Sequence, residues 1–107
     1  KQTHHIVNKE VMDALGPDGM VINISRASNI DEIALLDALE AKTLGSAALD
    51  VFEGEPDINP RFLELDNVLL QPHHGSGTVE TREAMGDLVF VNLKAHFDGK
   101  ELPTPVV

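Results

Sequence analysis

Apolar and polar positions along the chain fall into blocks with distinct periods. Residues Asn8 to Leu15 ("NKEVMDAL") carry Val11, Met12 and Leu15 at helical spacing, and Gly16-Pro17-Asp18-Gly19 supplies the turn chemistry that ends a short helix. The run Met20 to Ile24 ("MVINI") is apolar on both faces except at Asn23, the pattern of a strand covered on both sides in a parallel sheet. Asn29 with Glu32 three residues on reads as a capping box, and Ile33, Leu35, Leu36 and Leu39 follow at helical spacing, predicting a helix over about Asp31 to Lys42. Gly45 reads as its stop. "SAALDVF" from Ser46 is then a second buried strand, with small residues where a helix packs closely and Asp50 as its polar exit.

"EGEPDINPRFLELD" has no sustained period and reads as a long loop with one turn near Phe62 to Leu65. "NVLLQ" is a third strand. Thr78 N-caps a long helix with Glu80 in its first turn and apolar residues from Met85 to Phe97, and the remainder is an exposed tail. The order helix, strand, helix, strand, loop, strand, helix predicts an α/β layered sheet of at least three parallel strands joined by right-handed crossovers. Such a sheet needs both faces covered, and three helices are few, so exposed edges met by a partner or by further sequence are expected. No repeat, low-complexity segment or internal linker divides the chain.

Composition narrows the class. The chain has 107 residues, 42% hydrophobic and 24% charged, which is globular, and no apolar run approaches the roughly 20 residues of a membrane helix. Eighteen acidic against eight basic residues give a net charge of −10, which repels phosphate backbones and anionic lipid, so neither nucleic acid nor a membrane is an expected partner. The chain lacks cysteine, which excludes disulfides and thiolate zinc sites. With no signal-peptide pattern in view either, the expected setting is cytoplasmic.

In open α/β sheets ligands gather beyond the carboxyl ends of the strands. The three predicted strands end in Ser25-Arg26, in Asp50 followed by Glu55, and in His73-His74. If the strands are neighbours, Arg26, Asp50, Glu55 and His73 share one rim. A guanidinium grips a carboxylate bidentately, an imidazole passes a proton to a carbonyl oxygen, and a carboxylate behind that imidazole orients it. The competing reading is plain solvation of strand ends, with Asp50 as a local cap. Gly75-Ser76-Gly77 imitates a dinucleotide fingerprint, but its third glycine falls on Glu80, whose charge opposes a pyrophosphate, so close packing explains these glycines better. On an extended chain the neighbours in His4-His5 and His73-His74 would point to opposite faces, and neither pair matches a metal-binding spacing, so no metal is expected.

Two stretches, "INISRASNIDEIALLDALEAKTLGSAALDVFEGEP" and "NVLLQPHHGSGTVETREAMGDLVFVNL", closely resemble the C-terminal half of the cofactor domain of D-isomer-specific 2-hydroxyacid dehydrogenases, particularly the glyoxylate/hydroxypyruvate reductase branch. The resemblance implies the C-terminal half of a Rossmann-like doubly wound parallel sheet with flanking helices and a long C-terminal helix, residues 1–107 being part of a nucleotide-binding domain plus that helix and tail. It implies that Arg26 binds the 2-oxoacid carboxylate, that His73 is the acid/base and that Glu55 is its partner. Asp50 would sit near the nicotinamide carboxamide, with Ser25 and Gly75 lining that pocket. NAD or NADP is the implied cofactor, NADPH slightly favoured, with a small 2-oxoacid or 2-hydroxyacid as substrate and a homodimer as the parent.

Two departures stand out. Ala27 follows Arg26 where the family usually has glycine, and the family's G-x-G-x-x-G stretch and ribose-reading residue are not in this sequence. The expectation is therefore a reductase fragment, cut inside a domain near Lys1 and inactive alone. A corepressor-like nucleotide-sensing protein and a small flavodoxin-like binding module with a five-stranded sheet stay open as alternatives.

Overall fold

The computed structural model describes residues 2–106 and divides into two compact units, one ending at Gly75 and the other starting at Ser76. The first contains α1 (Lys9–Leu15), β1 (Met20–Asn23), a 3-10 turn (Ala27–Asn29), α2 (Glu32–Glu40), β2 (Ser46–Leu49), a second 3-10 turn (Pro60–Glu64) and β3 (Val68–Leu70). The second is built on α3 (Val79–Phe97).

The three strands form a parallel sheet in the order β1-β2-β3, with Asn23 paired to Leu49 and Leu49 to Leu70, so their carboxyl ends lie side by side. That is the predicted α/β arrangement. The described residues form three strands, fewer than the five of a flavodoxin-like sheet.

Alternation along the strands sets which face is filled. Val21, Asn23, Ala47 and Leu49 are buried, and Val68 and Leu70 pack against the same cluster, where Met12 of α1 and Leu35, Leu36 and Leu39 of α2 complete the core. Met20, Ile22 and Leu69 point the other way and are exposed, so α1 and α2 fill one face only. Phe62, on the second 3-10 turn, closes the core edge-to-face against Phe52, with ring centroids 5.8 Å apart. Phe62→Ala is expected to destabilise the protein by about 3–5 kcal/mol, measured by denaturant unfolding. A loss below about 1 kcal/mol would show that this ring is not part of the core.

Two local expectations are corrected. Asn29 does not cap α2: it ends the first 3-10 turn, and its Nδ2 donates to Ser25 Oγ at 2.8 Å. Asp31 is the cap, accepting from Ala34 N at 3.0 Å, because its own N–H donates to Val7 O and fixes it where α2 begins. Glu32 consequently opens the helix, and its carboxylate accepts from Glu53 N at 2.9 Å. Gly45 does not stop α2 either. The helix ends at Glu40 in a Schellman pattern, Thr43 N to Ala38 O and Lys42 N to Leu39 O, with Lys42 at φ 55° in the left-handed position. Gly45 is needed for closeness instead, since a Cβ there would lie 2.4 Å from Pro17 O.

Thr78 caps α3 as expected, accepting from Thr81 N at 3.2 Å. Its apolar residues are scattered around the helix rather than forming one stripe, and none is buried. Asn92 ties the tail back to the helix through Thr104 Oγ1 at 2.8 Å. No helix among the described residues is long and apolar enough to cross a membrane.

Candidate active site

Each strand of the sheet delivers one cluster to the same rim. After β1 the buried side chain of Asn23 binds the turn that follows: Oδ1 accepts from Ser25 N and from Ser25 Oγ, both at 3.0 Å, and Nδ2 donates to Arg26 O at 2.9 Å. The Arg26 guanidinium donates to Ser25 O at 2.7 Å and pairs with no carboxylate among the described residues.

After β2 comes Asp50, buried at 5% exposure. Its two carboxylate oxygens accept from His74 N and Gly75 N, each at 2.7 Å, across 24 and 25 residues of chain. These amides, His74 first, hold the Asp50 carboxyl below the usual carboxylate range. A Cβ on residue 75 would lie 3.0 Å from Asp50 Oδ2 and press on the carboxylate that the His74 and Gly75 amides hold. A depressed folded-state value means that the stabilisation is present above the ordinary aspartate pKa of about 3.9 and lost as pH falls through the folded value. Asp50→Asn offers one acceptor where two are needed, so the variant should melt lower than wild type at neutral pH, with the gap narrowing below about pH 4. A gap that does not change with pH would contradict this.

After β3 comes His73, at φ 57° in the left-handed region that non-glycine residues rarely adopt. The cost of such a conformation, about 1–3 kcal/mol, has to be met by the surroundings, and Asp50 meets it by holding the next two amides. The turn aims the imidazole at Glu55: Nδ1 lies 2.8 Å from Glu55 Oε2, while Oε1 accepts from Phe52 N at 2.8 Å. The His73 hydrogen bond first, then the Phe52 amide, hold the Glu55 carboxyl below the usual range. An ionised carboxylate only accepts, so Nδ1 carries the proton toward Glu55 and Nε2 is left for chemistry. The imidazole is half exposed, 51%, and with Glu55 it borders an open cavity of about 660 Å³ walled by Phe52, Pro56, Ile58, Leu63 and Leu70.

Asp50, through the His74 and Gly75 amides, and Glu55, through the His73 ring, thus hold the one turn at residues 73–75. Ser25 and Arg26 stand on the same rim, from β1, without a hydrogen bond to that turn among the described residues. The sequence reading did not assign Asn23 a role, although a lone polar residue in an apolar strand has to find partners when buried, and that was the available signal. The reading also missed the Asp50 clamp, because its partners are remote in sequence. His5 lies 3.9 Å from Asp31 and 3.8 Å from Glu53, and among the described residues no three histidine, cysteine or acidic side chains are grouped to hold a metal ion.

The rim offers acceptors of the kind a nicotinamide carboxamide would need. Asp50 uses two of its roughly four acceptor positions, leaving others for an amide N–H, and Gly75 adds no side chain beside it.

Comparison with known proteins gives a consistent neighbourhood. Residues 1–75 match the D-isomer specific 2-hydroxyacid dehydrogenase, NAD binding domain. The chain is 59% identical over 107 residues to glyoxylate/hydroxypyruvate reductase A of Arabidopsis thaliana, covering 100% of this chain and 34% of that protein. It is 58% identical over 106 residues to hydroxyphenylpyruvate reductase of Plectranthus scutellarioides, covering 99% of this chain and 34% of the relative. Among solved structures, the NADPH-dependent glyoxylate/hydroxypyruvate reductase of Sinorhizobium meliloti in complex with NADP and malonate superposes with a TM-score of 0.95 at 49% identity, over 99% of this chain and 33% of that one. The chain therefore spans about a third of the length of the relatives it matches.

Proposed function

The chain belongs to the D-isomer specific 2-hydroxyacid dehydrogenase family, and on that premise we propose that it is the catalytic part of the cofactor domain of a longer NAD- or NADP-dependent reductase acting on small 2-oxoacids of the glyoxylate and hydroxypyruvate type. The observation that carries the reading is the 2.8 Å His73–Glu55 pair standing on one parallel-sheet rim with a guanidinium, Arg26, that has no acidic partner among the described residues. β1 and β3 are two inter-strand spacings apart, about 10 Å, which long side chains reach across from both sides of a small substrate.

In this reading Arg26 grips the substrate carboxylate with two N–H donors and so fixes which way the carbonyl points. His73 Nε2 would give its proton to the carbonyl oxygen as the C=O π bond opens, becoming a neutral imidazole. In the reverse direction the same nitrogen takes the hydroxyl proton, and Glu55 stabilises the charged ring in both directions. Ser25, Asp50 and Gly75 are the residues that would hold the nicotinamide, which supplies the hydride when bound. Residues 1–107 alone, part of a nucleotide-binding domain plus helix and tail, would be inactive.

Support comes from the reductase names of the relatives and from the NADP complex of the Sinorhizobium protein. Either cofactor fits, NADPH slightly favoured, and the longer protein is taken to be a cytoplasmic homodimer. The test is steady-state oxidation of NADH and NADPH by the full-length protein with glyoxylate and with hydroxypyruvate. Turnover with either 2-oxoacid supports the proposal, and none with any 2-oxoacid defeats it.

A further inference from the structure

Two polar side chains, Asn23 and Asp50, are buried among the described residues, at 6% and 5% exposure, and both stand at strand ends on the rim. Asp50 clamps the turn that carries His73. We infer that Asn23 is the corresponding positioning residue for Arg26, fixing the backbone from which the guanidinium reaches out and thereby setting recognition of the substrate carboxylate; this rests on the function proposed above.

Asn23 engages the turn through both ends of its side-chain amide. Asn23 Oδ1 accepts from Ser25 N and Oγ, Nδ2 donates to Arg26 O at 2.9 Å, and the Asn23 carbonyl accepts from Asp50 N at 2.9 Å, which anchors the clamp to β2. Ser25 Oγ also accepts from Asn29 Nδ2 at 2.8 Å, tying the far side of the same turn. Among the described residues the guanidinium, by contrast, is held only at Ser25 O, a carbonyl of its own turn. No acidic side chain among the described residues fixes its direction, so the path of residues 25 and 26 fixes it. Asparagine is the residue this requires. Aspartate keeps the acceptors but loses the donor and sets a negative charge against Arg26 O, while alanine removes all three bonds.

The experiment compares Asn23→Asp, Asn23→Ala, Arg26→Ala and the Asn23→Ala/Arg26→Ala double variant in the full-length protein, after wild-type turnover has been measured. A displacement of about 1 Å in a positioning group costs on the order of 10²-fold, so either Asn23 variant should raise KM for the 2-oxoacid about 10- to 100-fold. The melting temperature should fall modestly, since bonds of a buried side chain are lost, and KM for the reduced cofactor, which Ser25 would touch, should rise much less than KM for the 2-oxoacid. Adding Asn23→Ala to Arg26→Ala should change the 2-oxoacid KM by less than about 2-fold, because the first acts through the second. The inference is overturned by an unchanged 2-oxoacid KM, by additive defects, or by a cofactor KM that rises as much as the 2-oxoacid KM. If the wild-type protein turns over no 2-oxoacid, the functional reading fails separately. A crystal structure of the Asn23→Asp protein then decides the positioning role alone: a shifted Ser25–Arg26 path with β1 in register supports it, and an unshifted path refutes it.

Discussion

Replacing His73 by glutamine in the full-length protein is expected to lower kcat for 2-oxoacid reduction by about 10²- to 10⁴-fold, the usual contribution of a positioned general acid. Glutamine retains a hydrogen-bonding end of similar reach but carries no transferable proton. Cofactor KM should hardly change, since no residue proposed to hold the nicotinamide is altered. The loss should also be specific to chemistry: the turn is held by Asp50 through the amides of His74 and Gly75, which the substitution leaves in place. Pre-steady-state reduction would separate the chemical step from product release. A variant that keeps more than about a tenth of wild-type kcat would remove His73 from the proton-transfer role.

The second large effect belongs to Arg26. Its guanidinium pairs with no carboxylate among the described residues, in a chain carrying eighteen acidic residues, so its charge is available to an anionic ligand. Each charge-assisted hydrogen bond is worth about 1.5–3 kcal/mol, and a bidentate grip has two. Arg26→Ala should therefore lower kcat/KM for the 2-oxoacid by on the order of 10²- to 10⁴-fold, most of it in KM. An uncharged carbonyl substrate of similar size should lose much less. Equal losses for both substrates would mean that Arg26 supports the fold of the rim rather than the carboxylate.

Much of this site was legible in sequence because it sits where short apolar runs stop. "MVINI", "SAAL" and "NVLLQ" announce strands by their length and branched or small residues, and the next polar residues then fall on the rim whatever the details of packing. What was not legible depends on contacts between distant residues. Asp50 looks like a strand-end acid until His74 and Gly75 fold back onto it, and the left-handed backbone of His73 follows from that clamp rather than from local preference. Asn29 and Glu32 have the spacing of a capping box, yet Asn29 is taken by the turn onto Ser25 and the cap passes to Asp31. Gly45 likewise resembled a helix stop, whereas the approach of Pro17 O is what excludes a side chain there.

The most direct test is a crystal structure of the full-length protein with its reduced cofactor and oxamate, a 2-oxoacid mimic whose amide resists reduction. The oxamate carboxylate is expected on the Arg26 guanidinium and its ketone-equivalent oxygen within about 3 Å of His73 Nε2, with Nδ1 still on Glu55. Oxamate bound away from this rim, or a His73 ring turned so that Nε2 does not face it, would contradict the account.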